Sequence, residues 1–182
     1  MSVSDDVERI AGVAAGFADE GEELVGVIAA EPSAGLRVYL CSYERGERRT
    51  WLALDEDGSP VGCRKLVRET VSIAALCELA VEVAGGGQLE ELRASLVSVR
   101  LTESPPGIEA AEAAALALET TIGAPPRLAT PAYLDAVGTA AFELERALGE
   151  GGSPFAQAMR EATTTVEALT GDVENGYKIA LA

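Results

Sequence analysis

Hydrophobic positions along the chain change period twice. From Ser4 to Glu20 they recur at three and four, as Val7, Ile10, Ala14 and Phe17. That spacing gathers them on one face of a helix. Ser4 reads as its N-cap, Asp5 and Asp6 suit the positive end of the helix dipole, and Gly21 is a natural stop. The pattern then shifts to short β-branched and aromatic runs. "ELVGVIAAEPSAG", "LRVYLCSYE" and "RRTWLALD" read as strands, punctuated by Pro32, Gly35 and Gly46 and closed by Asp57-Gly58-Ser59-Pro60. A three-stranded antiparallel meander over about residues 24–55 is predicted.

Helical spacing returns after residue 60. Residues 63–84 are apolar over much of their circumference and end at Gly85-Gly86-Gly87. Residues 88–99 carry Leu89, Leu92 and Leu96 on one side; residues 107–122 carry Ile108, Ala111, Ala115, Leu118 and Ile122. Thr130-Pro131 opens a further helix with the stripe Leu134, Val137, Ala141, Leu144 and Leu148. Ser153-Pro154 opens the last, striped by Phe155, Met159, Ala162, Val166 and Leu169, with "GDVENGYKIALA" extending it or fraying. The predicted fold is α+β: an N-terminal helix, the meander, then about five helices, in a single domain over 1–182 with a sheet part (1–60) and a helical part (61–182).

The meander raises a packing question, because apolar residues occupy both parities of its strands. A hairpin centred on Gly46 sets Leu40 opposite Leu52, Val38 opposite Leu54, Cys41 opposite Trp51 and Tyr43 opposite Arg49. Pairing Ile28 with Val38 and Val27 with Tyr39 adds the first strand. One face is then aliphatic, with Leu24, Ile28, Leu36, Val38, Leu40, Leu52 and Leu54 turned to the later helices. The other holds Val25, Val27, Tyr39, Cys41, Tyr43, Trp51 and Ala53, edged by Arg37 and Arg49. Three large aromatics amount to about 450–750 Å² of burial, as large as the largest apolar patch of a typical monomer. Three covers are open: the N-terminal helix, a second copy of the chain, or a ligand or partner peptide.

Charge narrows the partners. The net charge is −16, which opposes nucleic-acid binding. Seven of the 14 basic residues fall within 37–68, leaving that segment at +2. Arg64 and Arg68, with Lys65, form either an anion clamp at a helix start or ordinary salt bridges. Cys41, Cys63 and Cys77 are an odd number without metal-like spacing, suited to a reducing compartment. The opening "MSVSDDVER" has acids where a leader peptide needs basic residues, and no apolar run is long enough to span a bilayer. A cytoplasmic protein without membrane attachment is expected.

Missing residue types limit the chemistry. The chain has no histidine, which removes Ser-His-Asp and Cys-His catalysis and every histidine-ligated metal site. No phosphate-loop or dinucleotide-binding glycine pattern occurs. Aligning "DEDGSP" to a calcium loop puts Ala53 and Arg64 at ligand positions, so it reads as an acidic turn. Glu78 with Glu82, and Glu109 with Glu112, are carboxylate pairs on helices and read as solvated faces. No catalytic residue, metal or cofactor is expected. The expectation is a non-enzymatic protein that self-associates, most simply as a homodimer, or binds a protein partner through the aromatic sheet face. Its interface residues would be Tyr39, Tyr43, Trp51, Arg37, Arg49, Arg64 and Arg68. The alternative is a small-molecule protein with a pocket between sheet and helix for an anionic or aromatic ligand.

Overall fold

The computed structural model describes residues 2–85, 88–123, 128–149 and 154–182. Its elements are α1 (Val3–Ala15), β1 (Glu23–Ser33), β2 (Leu36–Arg45), β3 (Arg48–Asp55), α2 (Arg64–Gly85), α3 (Gln88–Thr102), α4 (Ile108–Gly123), α5 (Pro131–Leu148) and α6 (Pro154–Asn175). The fold is α+β, with one antiparallel sheet in the order β1-β2-β3. No helix among the described residues is long and apolar enough to cross a membrane. Ser153 and the glycines at 86, 87, 151 and 152, expected to bound helices, lie outside the described residues.

α1 begins two residues earlier than its pattern suggests. Ser2, not Ser4, is the N-cap: its hydroxyl accepts from the Asp5 N–H at 3.3 Å, and Asp5 accepts from the Ser2 N–H at 2.8 Å. This reciprocal pair satisfies two orphan donors at once. The helix stops at Ala15, with Gly16 as C-cap, so Phe17 lies beyond it.

The sheet register corrects the expected pairing. Leu40 lies opposite Ala53, Cys41 opposite Leu52, Ser42 opposite Trp51 and Glu44 opposite Arg49. The hairpin is centred between Gly46 and Glu47, with Arg45 opposite Arg48. Gly46 has φ +61°, the arrangement of a II′ turn with glycine first. A two-residue turn of this kind shifts β3 by one residue relative to a turn centred on glycine. Every β3 side chain therefore changes face. Leu52 and Leu54 join Tyr39, Cys41 and Tyr43; Trp51 and Ala53 join Val38 and Leu40. β1 is offset from expectation by two residues, with Ile28 opposite Leu40 and Val27 opposite Cys41, so its faces are kept. A bulge at Val25 breaks the alternation near its start.

The chain divides into two compact units. Among the described residues the first comprises 2–75, 128–131 and 165–182, and the second comprises 76–85, 88–123, 132–149 and 154–164. In the first unit both sheet faces are covered by the unit's own helices. Ile10 and Ala14 of α1 pack on Tyr39, Cys41, Tyr43, Leu52 and Leu54. Val67 and Val71 of α2 and Val173 of α6 pack with Val38, Leu40 and Ala53 on the other face, with Trp51 at its margin. In the second unit Leu89 and Leu96 of α3, Ile108, Ala115, Leu118 and Ile122 of α4, and Val137 and Leu144 of α5 form one core.

Both sheet edges are occupied as well. On the β1 side, Ala129 bridges Ala30 in parallel, donating to Ala29 O at 3.0 Å and accepting from the Glu31 N–H at 2.8 Å. On the β3 side, the segment after α6 neither extends that helix nor frays. Trp51 N–H donates to Gly176 O at 3.1 Å, and Lys178 N–H donates to Trp51 O at 2.9 Å. Val61 N–H donates to Ala53 O at 2.8 Å, and Asp55 N–H donates to Ser59 O at 2.9 Å. The Tyr177 hydroxyl accepts from the Ala53 N–H at 2.8 Å and donates to Val61 O at 2.8 Å. The outward backbone groups of Trp51 and Ala53 and the Asp55 N–H are thus all paired, which closes an edge otherwise open to another strand.

Candidate interaction surface

Each expected interface residue has a place in the structure. Tyr39 and Tyr43 are fully buried beneath α1, and the Tyr43 hydroxyl donates to Ala14 O at 2.9 Å. Burial pushes the Tyr43 phenol above its ordinary pKa. Trp51 lies on the opposite face, half-buried, with Gly176 against its ring: a Cβ there would sit 2.7 Å from Trp51 Cζ3. The three aromatics therefore do not form one surface.

Arg37, Arg49 and Arg68 each meet a carboxylate. Arg37 Nη1 donates to Asp6 Oδ2 at 3.0 Å, and its pKa is raised first by the Tyr39 hydroxyl beside it. Arg49 pairs with Glu44 across the hairpin. At the start of α2, Arg68 lies 3.8 Å from Glu174 and Lys65 lies 3.8 Å from Glu69, while the Arg64 N–H donates to Ala182 O at 2.9 Å. Lys65 and Arg68 thus form salt bridges. Of the carboxylate pairs, Glu112 binds Arg100, and Glu78 is exposed, its carboxyl raised by the protein around it and by Glu82. No metal-like group of ligands exists among the described residues. Asp55 closes the "DEDGSP" turn, accepting from the N–H groups of Asp57 and Ser59 at 3.0 and 2.8 Å.

A second polar cluster escaped the sequence. Lys178, its side chain only 8% exposed, bonds Asp19 Oδ2 at 2.8 Å and also Glu22, and lies 4.7 Å from the Tyr43 ring centroid. Glu22 also accepts from the Thr50 hydroxyl at 2.8 Å and the Asp19 N–H at 2.9 Å. The Lys178 bond, chiefly, holds the Glu22 carboxyl down at about 2. Burial opposes the charge on Lys178, but the two carboxylates outweigh it and its pKa is raised. This triad ties residues 19–22 and 178 to the sheet. It is a structural clasp.

Large apolar side chains stand outside the core in both units, Val25 at 48% in the first among them, and the most exposed, Leu101, Phe142 and Leu116, belong to the second. On α3, Glu90, Ala94, Val97 and Leu101 recur at three and four and are all exposed; on α4, Glu109, Ala113, Leu116 and Thr120 do the same. Leu101 is 71% exposed, Leu116 52% and Val97 37%. Two ion pairs cross between these helices. Arg93 pairs with Glu119, and Arg100 Nε reaches both Glu112 oxygens at 2.9 Å. Val97 and Leu116 fall between the two pairs on their respective helices. Beside them an open groove of ≈ 450 Å³ is lined by Glu90, Arg93, Ala94, Val97 and Glu119. The sequence signal for this strip was available: Val97 and Leu116 each sit one position off the core stripe of their helix.

Comparison with protein-family models, with curated proteins and with solved structures returns no match for this chain. Function has to be argued from the geometry alone.

Proposed function

We propose that this protein works by association rather than by catalysis, through the outer face of the α3–α4 hairpin. The observation that carries the proposal is the apolar strip of Val97, Leu101 and Leu116, left exposed beside an open groove and fixed in place by two Arg–Glu pairs. Clustered apolar residues on a rigid, polar-rimmed surface are the usual make-up of a binding patch. The lack of histidine supports the non-catalytic side of the proposal. Two buried thiols support a cytoplasmic setting: burial pushes Cys41 up to about 12, and Cys77 is also buried.

Association through the tyrosine face is the second form of the proposal. It requires α1 to lift away, because Ile10 and Ala14 already fill that face. A ligand pocket between that face and α1 meets the same filled space.

Position-specific photocross-linking separates these surfaces. A photoreactive residue at Val97 is expected to capture a discrete protein that excess unlabelled chain displaces and a Leu101→Ser, Leu116→Ser chain does not. Capture by a probe replacing Ile10, with none from Val97, would move the surface to the tyrosine face. Self-capture, with a doubled mass by light scattering, would make the partner a second copy.

A further inference from the structure

Resting on that association reading, we infer that the partner segment docked on the α3–α4 face is a basic amphipathic helix. Three features of the face select it. First, its shape is linear. Glu90 to Leu101 spans three turns of α3, about 16 Å at 1.5 Å per residue, with apolar steps at Ala94, Val97 and Leu101. Leucine-like residues at i, i+3/i+4 and i+7 of an incoming helix match that repeat.

Second, the positive charges of the face are already engaged and part of the negative charge is not. Arg93 is held by Glu119 and Arg100 by Glu112. Glu90 and Glu109 share the exposed stripes and have no ion pair among the described residues. Four glutamates against two arginines leave the face at −2. Lysine or arginine on the flanks of a docked helix finds an unpaired carboxylate on each side of the strip. A phosphate, a nucleic acid or an anionic membrane finds its cationic contacts taken.

Third, the same count disfavours a second copy of this chain. Apposing two such faces brings two surfaces of charge −2 together, within a chain whose net charge is −16. Like charges juxtaposed at an interface suppress the wrong partner.

The test titrates the full chain with a synthetic helix of about four turns, leucines along one stripe and lysines beside them. The same peptide with glutamine for every lysine is the comparison, and anisotropy of a peptide label is the readout. The lysine peptide is expected to bind at least about tenfold more tightly than the glutamine peptide, with affinity falling as salt rises. Leu101→Ser with Leu116→Ser leaves every charge unchanged and is expected to weaken binding about tenfold; Phe142→Ser, a comparably exposed apolar residue on α5, is expected to leave it unchanged. Glu90→Gln with Glu109→Gln tests the carboxylates alone, with a loss of about threefold to tenfold expected. Binding indifferent to Leu101→Ser with Leu116→Ser reflects overall acidity and overturns the inference. Equal affinity for both peptides, still lost in that variant, overturns the basic partner and leaves the association face standing. Binding of neither peptide overturns the inference, and the cross-link from Val97 then decides the association reading by itself.

Discussion

The two units leave apolar surface exposed to different degrees, with the three most exposed large apolar side chains, Leu101, Phe142 and Leu116, all in the helical one. The sheet unit covers most of its sheet with its own chain: α1 on the tyrosine face, α2 and α6 on the other, Ala129 beside part of β1 and residues 176–178 along β3, with Val25 and Leu36 left exposed. The helical unit buries a well-formed stripe from α3, α4 and α5, yet leaves Val97, Leu101 and Leu116 outside it. The most aromatic segment is therefore the least available. The difference teaches that residue type alone does not mark a binding surface. What marks it is residue type remaining after the chain has satisfied itself.

Mutations that break this contrast differ in size. Ile10→Ala removes the largest side chain that α1 seats on Tyr39 and Tyr43, and should cost about 2–5 kcal/mol of stability, read by urea unfolding followed by Trp51 fluorescence. Lys178→Ala leaves the buried Glu22 carboxylate facing only neutral donors, and should cost about 3 kcal/mol at neutral pH. Glu22 has a folded pKa of about 2 against an ordinary 4.5, so its stabilising effect is complete above the higher value and fades as pH falls between the two. Lys178 has a raised pKa, so its contribution is complete below its ordinary value of 10.5 and is lost as pH rises through the folded value. The Lys178→Ala chain should lose much of that acid-side slope, which stability curves between pH 5 and 2 will show. Gly176→Ala puts a methyl against the Trp51 ring and Arg49 O, and should cost about 1–3 kcal/mol with a shifted tryptophan emission. Leu101→Ser should change stability by no more than about 0.5 kcal/mol, although Leu101 is as large as the buried Leu52 and Leu54. Equal losses from Leu101→Ser and Ile10→Ala would erase the contrast.

Much of this architecture was legible in the residue pattern. Element order followed from the residue pattern: apolar spacing of three and four for α1, β-branched and aromatic runs between turn residues for β1 to β3, then three and four again. The cover on the tyrosine face was one of three open possibilities, and α1 fills it because Ile10 and Ala14 point that way. The register was not legible, because "ERGER" permits a turn centred on Gly46 or one centred between Gly46 and Glu47. Strand parity cannot choose between them when both faces are apolar. That single residue moved Trp51 away from Tyr39 and Tyr43 and dissolved the expected aromatic surface. The edge contacts were invisible for another reason: they join Trp51 to Gly176 and Glu22 to Lys178, pairs far apart in sequence that no local period reports. The α3–α4 strip lay in plain view as apolar residues beside, not on, the core stripes. Scattered surface leucines are common, and only a fold tells such a strip from them.

The most direct measurement is a residue-by-residue map of amide shifts as the full chain is titrated with the lysine–leucine helix. The account predicts the largest changes at Val97, Leu101 and Leu116, with Ile10, Tyr39 and Tyr43 unmoved. Shifts concentrated on α1 and the tyrosine face, or no shifts at all, would contradict it.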